Sequence, residues 1–306
     1  MDILTNQPIT KRISRLIEAA ERVARGDLTI RIEDTCPDEL GHLEVAFNRM
    51  VNDLNQLHES RTLLSRTMSP AIRQSLLENG LDFRSTSKIV SVLFIDIRNF
   101  TQLTESQDTE QIVFLLNDFY TTIVNQVHIS GGIVGKYAGD SVLAFFGAPQ
   151  SEAPQETSVK ALLTALALQD AVADVSDRWR MAGMPAVRIG MGISIGPVIA
   201  GPIGSAAQFE YSIIGDVVNL ASRLQGLTRS LNGFDIILSR DVYDALTDTI
   251  TNQIGVIELD HFREMDEATR LKNFFNFIDL GEVLVKGKKE PVWVYGFPER
   301  RLLRPP

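Results

Sequence analysis

The N-terminal part of the chain carries apolar residues at the heptad spacing of a coiled coil, and this pattern restricts the fold more than any other sequence feature. A first seam alternates steps of four and three residues and comprises Ile9, Ile13, Leu16, Ala20 and Val23. A second seam comprises Leu40, Leu43, Phe47, Met50, Leu54, Leu57, Leu64 and Met68, with Arg61 as its one polar member. Two short amphipathic helices cannot bury both seams by themselves, so we expect the chain to self-associate.

A break separates the two seams. It begins at Arg25-Gly26-Asp27, and the second helix then starts with Asp38-Glu39-Leu40-Gly41 and contains Ala46-Phe47-Asn48-Arg49-Met50. This order over residues 8–60 resembles the HAMP family. The resemblance implies a parallel four-helix coiled coil formed by a dimer, which relays signals and usually lies just inside a membrane. A plain dimerisation coiled coil is the alternative, and the break and the acidic start of the second helix favour HAMP.

Length and composition narrow the class of protein. A chain of 306 residues is expected to form two domains. The formal net charge of −9 argues against a nucleic-acid partner, because such proteins need a basic face for the phosphates. An anionic substrate must therefore be held by local groups. Cys36 is the only cysteine, which excludes an intramolecular disulfide and a Cys-rich zinc site and agrees with a reducing cytoplasm.

The sequence also bears on location. No run approaches the roughly eighteen apolar residues of a membrane-spanning helix, and residues 1–7 are too few and too polar for a signal peptide. We therefore expect this chain to be cytoplasmic. Since HAMP modules normally follow a transmembrane helix, the chain is either a native soluble variant or the cytoplasmic part of a membrane-anchored receptor. In the second case an upstream membrane sensor in a longer chain is a further partner.

Beyond the coiled coil the periodicity changes from heptads to strands. A coupling helix from Met68 to Gly80 is predicted within a linker at residues 61–83. The following elements are a buried strand at 89–97, a helix from 108, a hairpin at 133–146, a helix at about 156–181 and a strand at 187–195. Asp108 and Gln111 fit a capping box at the start of the first of these helices. The β-α-β-β-α-β order predicts an α+β fold, a ferredoxin-like catalytic palm with C-terminal additions, preceded by the all-α module.

Two aspartates are the first candidate site residues. Asp96 lies at the end of the first strand and Asp140 at the hairpin turn. In the ferredoxin-like arrangement these two places approach each other although they are far apart in sequence. Converging carboxylates suit divalent cations such as Mg²⁺, which prefers oxygen ligands and often shares them with substrate phosphates. Taken singly, each aspartate is more simply explained as the cap of a turn.

Several motifs carry a more specific resemblance. They are Phe94-Ile95-Asp96-Ile97-Arg98-Asn99-Phe100-Thr101, Lys136-Tyr137-Ala138-Gly139-Asp140 and Ile214-Gly215-Asp216-Val217-Val218-Asn219-Leu220-Ala221-Ser222-Arg223, together with the segment Gly190 to Gly204 and Val285-Lys286-Gly287. In this order they resemble the class III adenylyl and guanylyl cyclases over about residues 84–298, and we place the catalytic domain at 84–300. The resemblance implies that a nucleoside triphosphate is converted to a cyclic nucleotide and pyrophosphate.

The resemblance implies a metal site and a composite catalytic site. Asp96, the backbone carbonyl of Ile97 and Asp140 would bind two Mg²⁺ or Mn²⁺ ions per active site. Asn219 and Arg223 are four residues apart on a helix and hence on one face. They would come from the partner subunit, orient the ribose and stabilise the transition state. Each active site of the homodimer then needs two chains.

The resemblance also implies five substrate-binding residues. Phe100 and Thr101 would hold the triphosphate through N–H groups near a helix start, and Lys286 would add positive charge there. Lys136 and Ser212 occupy the positions that read the purine. Taken alone, Lys136 is a solvated hairpin lysine and Lys286 a member of a charged turn, and the co-occurrence of all the motifs favours the functional assignment.

The choice of base follows from two of these residues. Lys136 can donate to adenine N1, whereas guanylyl cyclases usually have Glu at this position. Ser212 stands where Asp or Thr is usual in adenylyl cyclases, and it keeps a hydroxyl. We therefore predict an adenylate cyclase that makes cyclic AMP from ATP and is regulated through the HAMP module. The alternatives are a guanylate cyclase of the same fold and a catalytically silent nucleotide-binding signalling module.

Three other signals carry less weight. Gly192-Ile193-Ser194-Ile195-Gly196 matches the G-x-S-x-G pattern of serine hydrolases, but its serine lies within a predicted strand and not at a sharp strand-to-helix turn. Diguanylate cyclases share the palm-like fold, yet their hairpin reads Gly-Gly-Asp/Glu-Glu-Phe where this chain has Ala138-Gly139-Asp140-Ser141-Val142. The histidines have no metal-ligand spacing, and they are His42, His58, His128 and His261.

Overall fold

The structure is a computed structural model that describes residues 9–33, 37–67, 69–79, 84–205, 209–231, 233–250, 256–258 and 277–298. The chain divides into two compact units, with the division between Arg73 and Gln74. Among the helices described, none is both long enough and apolar enough to cross a lipid bilayer.

The N-terminal unit contains the two long helices that the heptad seams predict, α1 (Ile9–Ala24) and α2 (Glu39–Thr67). The two helices and the segment between them bury a small apolar cluster that consists of Ala19, Ile32, Phe47 and Val51. Large apolar residues of both seams stay exposed, namely Ile9, Ile13, Leu43, Met50, Leu54 and Leu57. A single chain therefore leaves an apolar seam in contact with water, which agrees with the expected self-association.

Polar contacts fix the connection between these helices. The Asn48 side chain pairs with the backbone of Ile32, accepting from its N–H and donating to its carbonyl at 2.9 Å each. The buried Arg12 guanidinium donates to Glu44 at 3.0 and 3.1 Å and to Asp38 at 2.6 and 3.0 Å. Because a buried charge must be paired, these contacts define one arrangement of α1, α2 and the segment between them.

The second unit is an α+β domain. Helix α3 (Pro70–Asn79) contains the division between the units. The helices after it are α4 (Phe100–Ser106), α5 (Thr109–Ile129), α6 (Pro154–Met181), α7 (Asp216–Leu227) and α8 (Arg240–Ile250). Its strands are β1 (Thr86–Ile97), β2 (Ile133–Ala138), β3 (Ser141–Phe146), β4 (Ile189–Gly204), β5 (Phe209–Ile214), β6 (Phe234–Ser239), β7 (Val256–Glu258), β8 (Phe277–Val283) and β9 (Val292–Pro298).

The sheet topology confirms the predicted ferredoxin-like palm. Over the described residues the strands lie in the order β2-β3-β1-β4-β6-β9-β8-β7, and β5 pairs with the outer half of β4. β1 is antiparallel to both β3 and β4. The predicted C-terminal additions extend the sheet beyond β4, since β6 pairs with β4 in parallel and β9 pairs with β6. The central position of β1 places its C-terminal end between the hairpin and the start of β4.

Opposite faces of the sheet pack against different helices. Alternate residues of β1, including Leu93 and Ile95, join α5 and α6 in the main core, where Phe119 and Leu168 are fully buried. The other face of β4 lies against α7. Two residues of β4 that face this helix, Gly190 and Gly192, are glycines. A Cβ on Gly192 would stand 2.1 Å from the carbonyl oxygen of Ala221, so glycine is required for this close approach of helix and strand.

The same contact explains the G-x-S-x-G match. Ser194 lies within β4, as predicted, and its side chain is fully buried. Its hydroxyl donates a 2.7 Å hydrogen bond to the carbonyl of Val217 in the first turn of α7. This serine therefore ties the strand to the helix and is not presented as a nucleophile.

One local prediction is wrong, and some bounds differ. Asp108 is the N-cap residue of α5, but its side chain makes no capping hydrogen bond, so the predicted capping box is not formed. β4 continues well beyond the predicted end at Ile195, because its outer half pairs with β5. The coupling helix is present as α3, while its predicted end residues Met68 and Gly80 lie outside the described residues, as does His261.

Candidate active site

Asp96 and Asp140 lie at the point where β1 meets the β2-β3 hairpin. Asp96 pairs in register with Ser141, the residue that follows Asp140 in the turn. The Ser141 hydroxyl donates a 2.6 Å hydrogen bond to Oδ2 of Asp96, whose residue is only 6% exposed. The topology therefore brings together the two carboxylates, as expected from the sequence.

The charges of the two aspartates interact. Burial is the main cause that raises the pKa of Asp140, and the negative charge of Asp96 raises it further. The positive charge of Arg229 acts in the opposite direction. Two close carboxylates in a partly buried place are unfavourable without a cation.

This environment fits a divalent cation. The described residues include no cluster of three or more His, Cys, Asp or Glu side chains that could hold a metal ion. The carboxylates of Asp96 and Asp140 and the backbone carbonyl of Ile97 still match the preference of Mg²⁺ for a few protein oxygens, completed by water and substrate phosphates. Asp96, Ile97 and Asp140 are thus the residues that could hold such ions.

The segment after β1 leads into the short helix α4. Asn99 has a left-handed backbone conformation with φ of 58°, and α4 begins at Phe100. Phe100 packs against the main core, while Thr101 is exposed. Both predicted triphosphate-binding residues therefore lie in the first turn of α4, close in sequence to Asp96.

A cavity with arginine side chains lies beside this segment. Its volume is about 470 Å³, and its lining includes Arg98, Arg188 and Arg229. Arg98 is held by an ion pair of 2.8 Å with the partly buried Asp235, which Arg188 also contacts at 3.4 Å. Burial raises the pKa of Asp235 although both arginines oppose this. The cavity can accept an anionic group because two of its arginines, Arg98 and Arg188, share the single carboxylate of Asp235.

Sequence reasoning did not identify Arg188 or Arg229 as site residues. Arg188 immediately precedes Ile189, which pairs with Ile97 across the sheet, so antiparallel register could have indicated Arg188. Arg229 follows the end of α7 and lies 2.5 Å from Oδ1 of Asp96. That contact depends on how closely α7 approaches β4, for which the sequence offers only the two glycines Gly190 and Gly192.

Tyr120 supports the hairpin and was also missed. Its hydroxyl, on α5, donates to the carbonyl of Gly139 next to Asp140. Its ring packs on that of Tyr137 with centroids 4.7 Å apart. Burial raises the pKa of Tyr120, and the charge of Asp140 raises it further. The tip that carries Asp140 is therefore anchored to a core helix.

The two predicted base-reading residues lie on neighbouring elements. Lys136 is on β2 and is exposed, and Ser212 is on β5 and is 9% exposed. The ammonium of Lys136 lies 3.7 Å from Oε1 of Glu210. Glu210 and Ser212 are two residues apart on one strand and hence share a face. The structure thus places Lys136 beside Glu210, on the strand that carries Ser212.

The remaining predicted residues form another group around α7. Asn219 is exposed in the first half of the helix, and Arg223 is half-buried one turn later. Arg223 lies against Gly287, where a Cβ would stand 2.9 Å from its guanidinium. Lys286 is the exposed neighbour of Gly287 in the turn between β8 and β9. Asn219, Arg223 and Lys286 are therefore on one surface.

Asn219, the first residue of this group, is separated from the aspartates within one chain. On this side of the sheet Asp96 is contacted by Arg229, which lies beyond the C-terminal end of α7. At a rise of about 1.5 Å per residue, Asn219 lies about 12 Å along the helix axis from Leu227. Asn219 thus lies far from the carboxylates of its own chain.

Comparison with known families identifies both parts of the chain. Residues 84–296 match the family "Adenylate and Guanylate cyclase catalytic domain", and residues 4–56 match the HAMP domain. The uncharacterized protein Rv1319c of Mycobacterium tuberculosis is 33% identical over 260 residues, which are 84% of this chain and 46% of that protein. The chain spans about half the length of this curated relative.

Solved structures similar to this chain include enzymes of both base specificities. The adenylyl cyclase CyaB from P. aeruginosa is 29% identical, covers 70% of this chain and 95% of its own, and has a TM-score of 0.57. The guanylyl cyclase Cya2 is 25% identical, covers 70% of this chain and 93% of its own, and has a TM-score of 0.55. A bacterial light-regulated adenylyl cyclase is 25% identical, and the match covers 83% of this chain and 65% of its own, with a TM-score of 0.65.

Proposed function

This chain belongs to the adenylate and guanylate cyclase catalytic-domain family and carries a HAMP domain before that domain, and we propose that it is an adenylate cyclase. The proposed reaction converts ATP to 3′,5′-cyclic AMP and pyrophosphate. The observation that carries the choice of ATP is Lys136, which puts a cationic donor at the position expected to read the purine. Adenine N1 accepts a hydrogen bond, whereas guanine N1–H is a donor and would face a second donor.

In the proposed reaction the 3′-hydroxyl of the ribose attacks the α-phosphorus in line. The bond between O3′ and the α-phosphorus forms, the bond to the pyrophosphate oxygen breaks, and the hydroxyl proton is lost. Two Mg²⁺ or Mn²⁺ ions held by Asp96, the carbonyl of Ile97 and Asp140 would supply charge that stabilises the attacking and leaving oxygens. The burial of Asp96 and the hydrogen bond from Ser141 support this role by keeping that carboxylate in one orientation.

We infer that the site is completed by a partner subunit in a homodimer. The separation of Asn219 from the aspartates of its own chain supports this arrangement, because both groups must meet around one nucleotide. Asn219 of the partner subunit would orient the ribose and Arg223 of the partner subunit would stabilise charge in the transition state. Lys286, next to the Gly287 that contacts Arg223, would add positive charge at the triphosphate.

Phosphate binding within one chain would use the segment after β1. The N–H groups near Phe100 and Thr101 lie at the start of α4, beside the arginine-lined cavity. Positive side chains there compensate for the net charge of −9 of the whole chain, which would otherwise repel a triphosphate.

We propose that the HAMP domain regulates the catalytic domain. HAMP helices with an exposed apolar seam favour a dimer, and a dimer is also what the composite site requires. The proposed input is an upstream membrane sensor in a longer chain, and the match covers 46% of one relative and 38% of another. No nucleic-acid partner is proposed.

A guanylate cyclase is the second candidate, and one contact favours it. Glu210 lies 3.7 Å from Lys136 and on the same face of β5 as Ser212. A carboxylate can accept from guanine N1–H and from the 2-amino group, so Glu210 could replace the glutamate that guanylyl cyclases usually carry at the position of Lys136. The pair Lys136 and Glu210 therefore contains a donor for adenine and an acceptor for guanine.

The test is kcat/KM for ATP and for GTP at one fixed Mn²⁺ concentration. An adenylate cyclase has the higher value with ATP, and Glu210→Gln leaves that preference in place. A wild type that prefers GTP, with a preference that Glu210→Gln removes, supports the second candidate instead. Absence of any cyclic nucleotide from either substrate, in a folded dimer, would identify a catalytically silent binding module. Lys136→Glu combined with Ser212→Cys should shift the ratio towards GTP even if total activity falls.

A further inference from the structure

Arg229 contacts the carboxylate to which the proposed function assigns a metal ion. Its guanidinium NH2 lies 2.5 Å from Oδ1 of Asp96, while the Ser141 hydroxyl donates to Oδ2 at 2.6 Å. Both carboxylate oxygens therefore already have a partner. A guanidinium only donates hydrogen bonds and carries a full positive charge. A cation that binds Oδ1 from the same side has to displace Arg229.

The charges point to the same competition. Arg229 offsets the negative charge that Asp96 and Asp140 concentrate at this place. A divalent cation at the two carboxylates would have the same effect with twice the charge. Two cations in one place repel each other, so the guanidinium and the metal ion are alternatives.

Burial makes Arg229 the partner that can move. The Asp96 side chain is 8% exposed, whereas the Arg229 side chain is 55% exposed. The backbone at Arg229 is held, because its N–H donates to Gly226 and the buried Thr228 hydroxyl donates to Gln225 at 2.7 Å. The Arg229 guanidinium can be rehydrated when it leaves the pair, and a cation that takes its place keeps the buried Asp96 carboxylate paired.

The displaced guanidinium has a place to go. Arg229 also lines the cavity of about 470 Å³ that Arg98 and Arg188 line. Those two arginines share Asp235. A guanidinium that leaves Asp96 would bring an additional positive charge to this cavity, where it can bind a phosphate in a bidentate manner.

We propose that Arg229 is an exchangeable counter-cation, which pairs with Asp96 when no divalent cation is bound and turns to the phosphates when one binds. This inference rests on the proposed function, because that function assigns the metal ion to Asp96. It makes Arg229 a competitor of the cation at Asp96 and a binding residue for the phosphates. Metal ion and triphosphate then bind cooperatively, since the metal ion releases the arginine that the phosphate uses.

The first experiment measures Mn²⁺ affinity by calorimetry on the full chain without nucleotide. Arg229→Met removes the competing charged contact, so we expect Mn²⁺ to bind roughly tenfold more tightly than to the wild type. Arg229→Lys keeps the charge on a shorter side chain and is expected to fall between the two. Arg240→Met is the matched control, because Arg240 is an exposed arginine that pairs with Asp244 at 3.5 Å on α8, and its Mn²⁺ affinity should equal that of the wild type.

The second experiment measures binding of inorganic tripolyphosphate at saturating Mn²⁺, a probe without a purine. Arg229→Met should weaken this binding by roughly tenfold, the loss of one charge-assisted contact, and Arg240→Met should leave it unchanged. Unchanged tripolyphosphate binding in Arg229→Met would overturn the phosphate half of the proposal.

Asp96→Asn separates the two possible failures. If Asp96→Asn abolishes Mn²⁺ binding but Arg229→Met binds Mn²⁺ no more tightly than the wild type, the exchange is wrong and the proposed metal site stands. If Asp96→Asn leaves Mn²⁺ binding unchanged, both the exchange and the metal assignment are wrong. The preference for ATP or GTP affects neither result, because no nucleotide is present.

Discussion

The guanidinium of Arg223 lies against Gly287, so that a Cβ on this glycine would stand 2.9 Å from its NH2 atom. Gly287 has φ of +79°, a conformation that side-chain-bearing residues rarely adopt. We therefore expect Gly287→Ala to act in two ways, by straining the backbone and by displacing Arg223. The first effect lowers stability by about 1 kcal/mol or more, and the second lowers kcat.

Gly281 offers a control that separates these effects. It has φ of +73°, and a Cβ there would meet nothing within 4 Å. Gly281→Ala should thus show a similar loss in thermal stability with unchanged kcat. The measurement is kcat of each variant at a temperature well below its Tm. Equal kcat values for the two variants would show that Arg223 does not act through its position at Gly287.

Tyr120 provides a second prediction, which concerns the placement of Asp140. Tyr120→Phe keeps the ring contact with Tyr137 but removes the hydrogen bond to the carbonyl of Gly139. We expect a loss of stability of about 0.5–1.5 kcal/mol. We also expect the Mn²⁺ concentration for half-maximal activity to rise, because the turn that carries Asp140 is held less firmly. Tyr295→Phe, on β9, should leave that concentration unchanged, and an equal rise in both variants would contradict the prediction.

The fold could be predicted from the sequence where periodicity is strong. Heptad spacing indicated α1 and α2, and the change to short apolar runs indicated β1, the hairpin and β4. The contact of Asp96 with Arg229 could not be predicted, because it joins residues 133 positions apart. It depends on the distance of α7 from β4, which the absence of side chains at Gly190 and Gly192 sets.

Two further features of the structure could not be predicted from local sequence patterns. Asp108 and Gln111 have the spacing of a capping box, yet the Asp108 side chain makes no hydrogen bond to the free N–H groups of α5. Glu210 could not be identified as a site residue from the sequence, because no motif marks an isolated glutamate on a strand. Only the pairing of β5 with β4 brings it near Lys136.

The N-terminal unit yields a prediction about pH. The hydrogen bond from Arg12 is the main cause that lowers the pKa of Asp38, and the N–H of Gly41 lowers it further. A carboxyl with a lowered pKa stabilises the folded state above its ordinary pKa of about 4, and this contribution is lost as the pH falls through the lowered value. Asp38→Asn should therefore lower the stability of the unit that contains α1 and α2 at neutral pH but not in acid.

This effect is measured by hydrogen exchange of peptides from α1 and α2. The wild type and Asp38→Asn are compared at each pH, so that the intrinsic pH dependence of exchange cancels. The wild type should be better protected at pH about 7, and the difference should vanish below the lowered pKa. Asp53→Asn, an exposed position on α2, serves as the control and should match the wild type throughout. A difference that is constant with pH would mean that the charge of Asp38 is not what stabilises the unit.

The last prediction tests whether one active site needs two chains. Asp96→Ala removes the proposed metal ligand and Asn219→Ala removes the proposed ribose contact, so each homodimer should be inactive, with less than about a tenth of wild-type activity, a loss of more than ~1.4 kcal/mol in the barrier. In a heterodimer of the two variants, one site combines an intact Asp96 with an intact Asn219 from the other chain. Each heterodimer should therefore have up to about half of the activity of a wild-type dimer. Heterodimers that form, as shown by co-purification of two tags, and yet remain inactive would place both residues in one site of one chain, because only a site built within a chain loses function in both halves of the mixture.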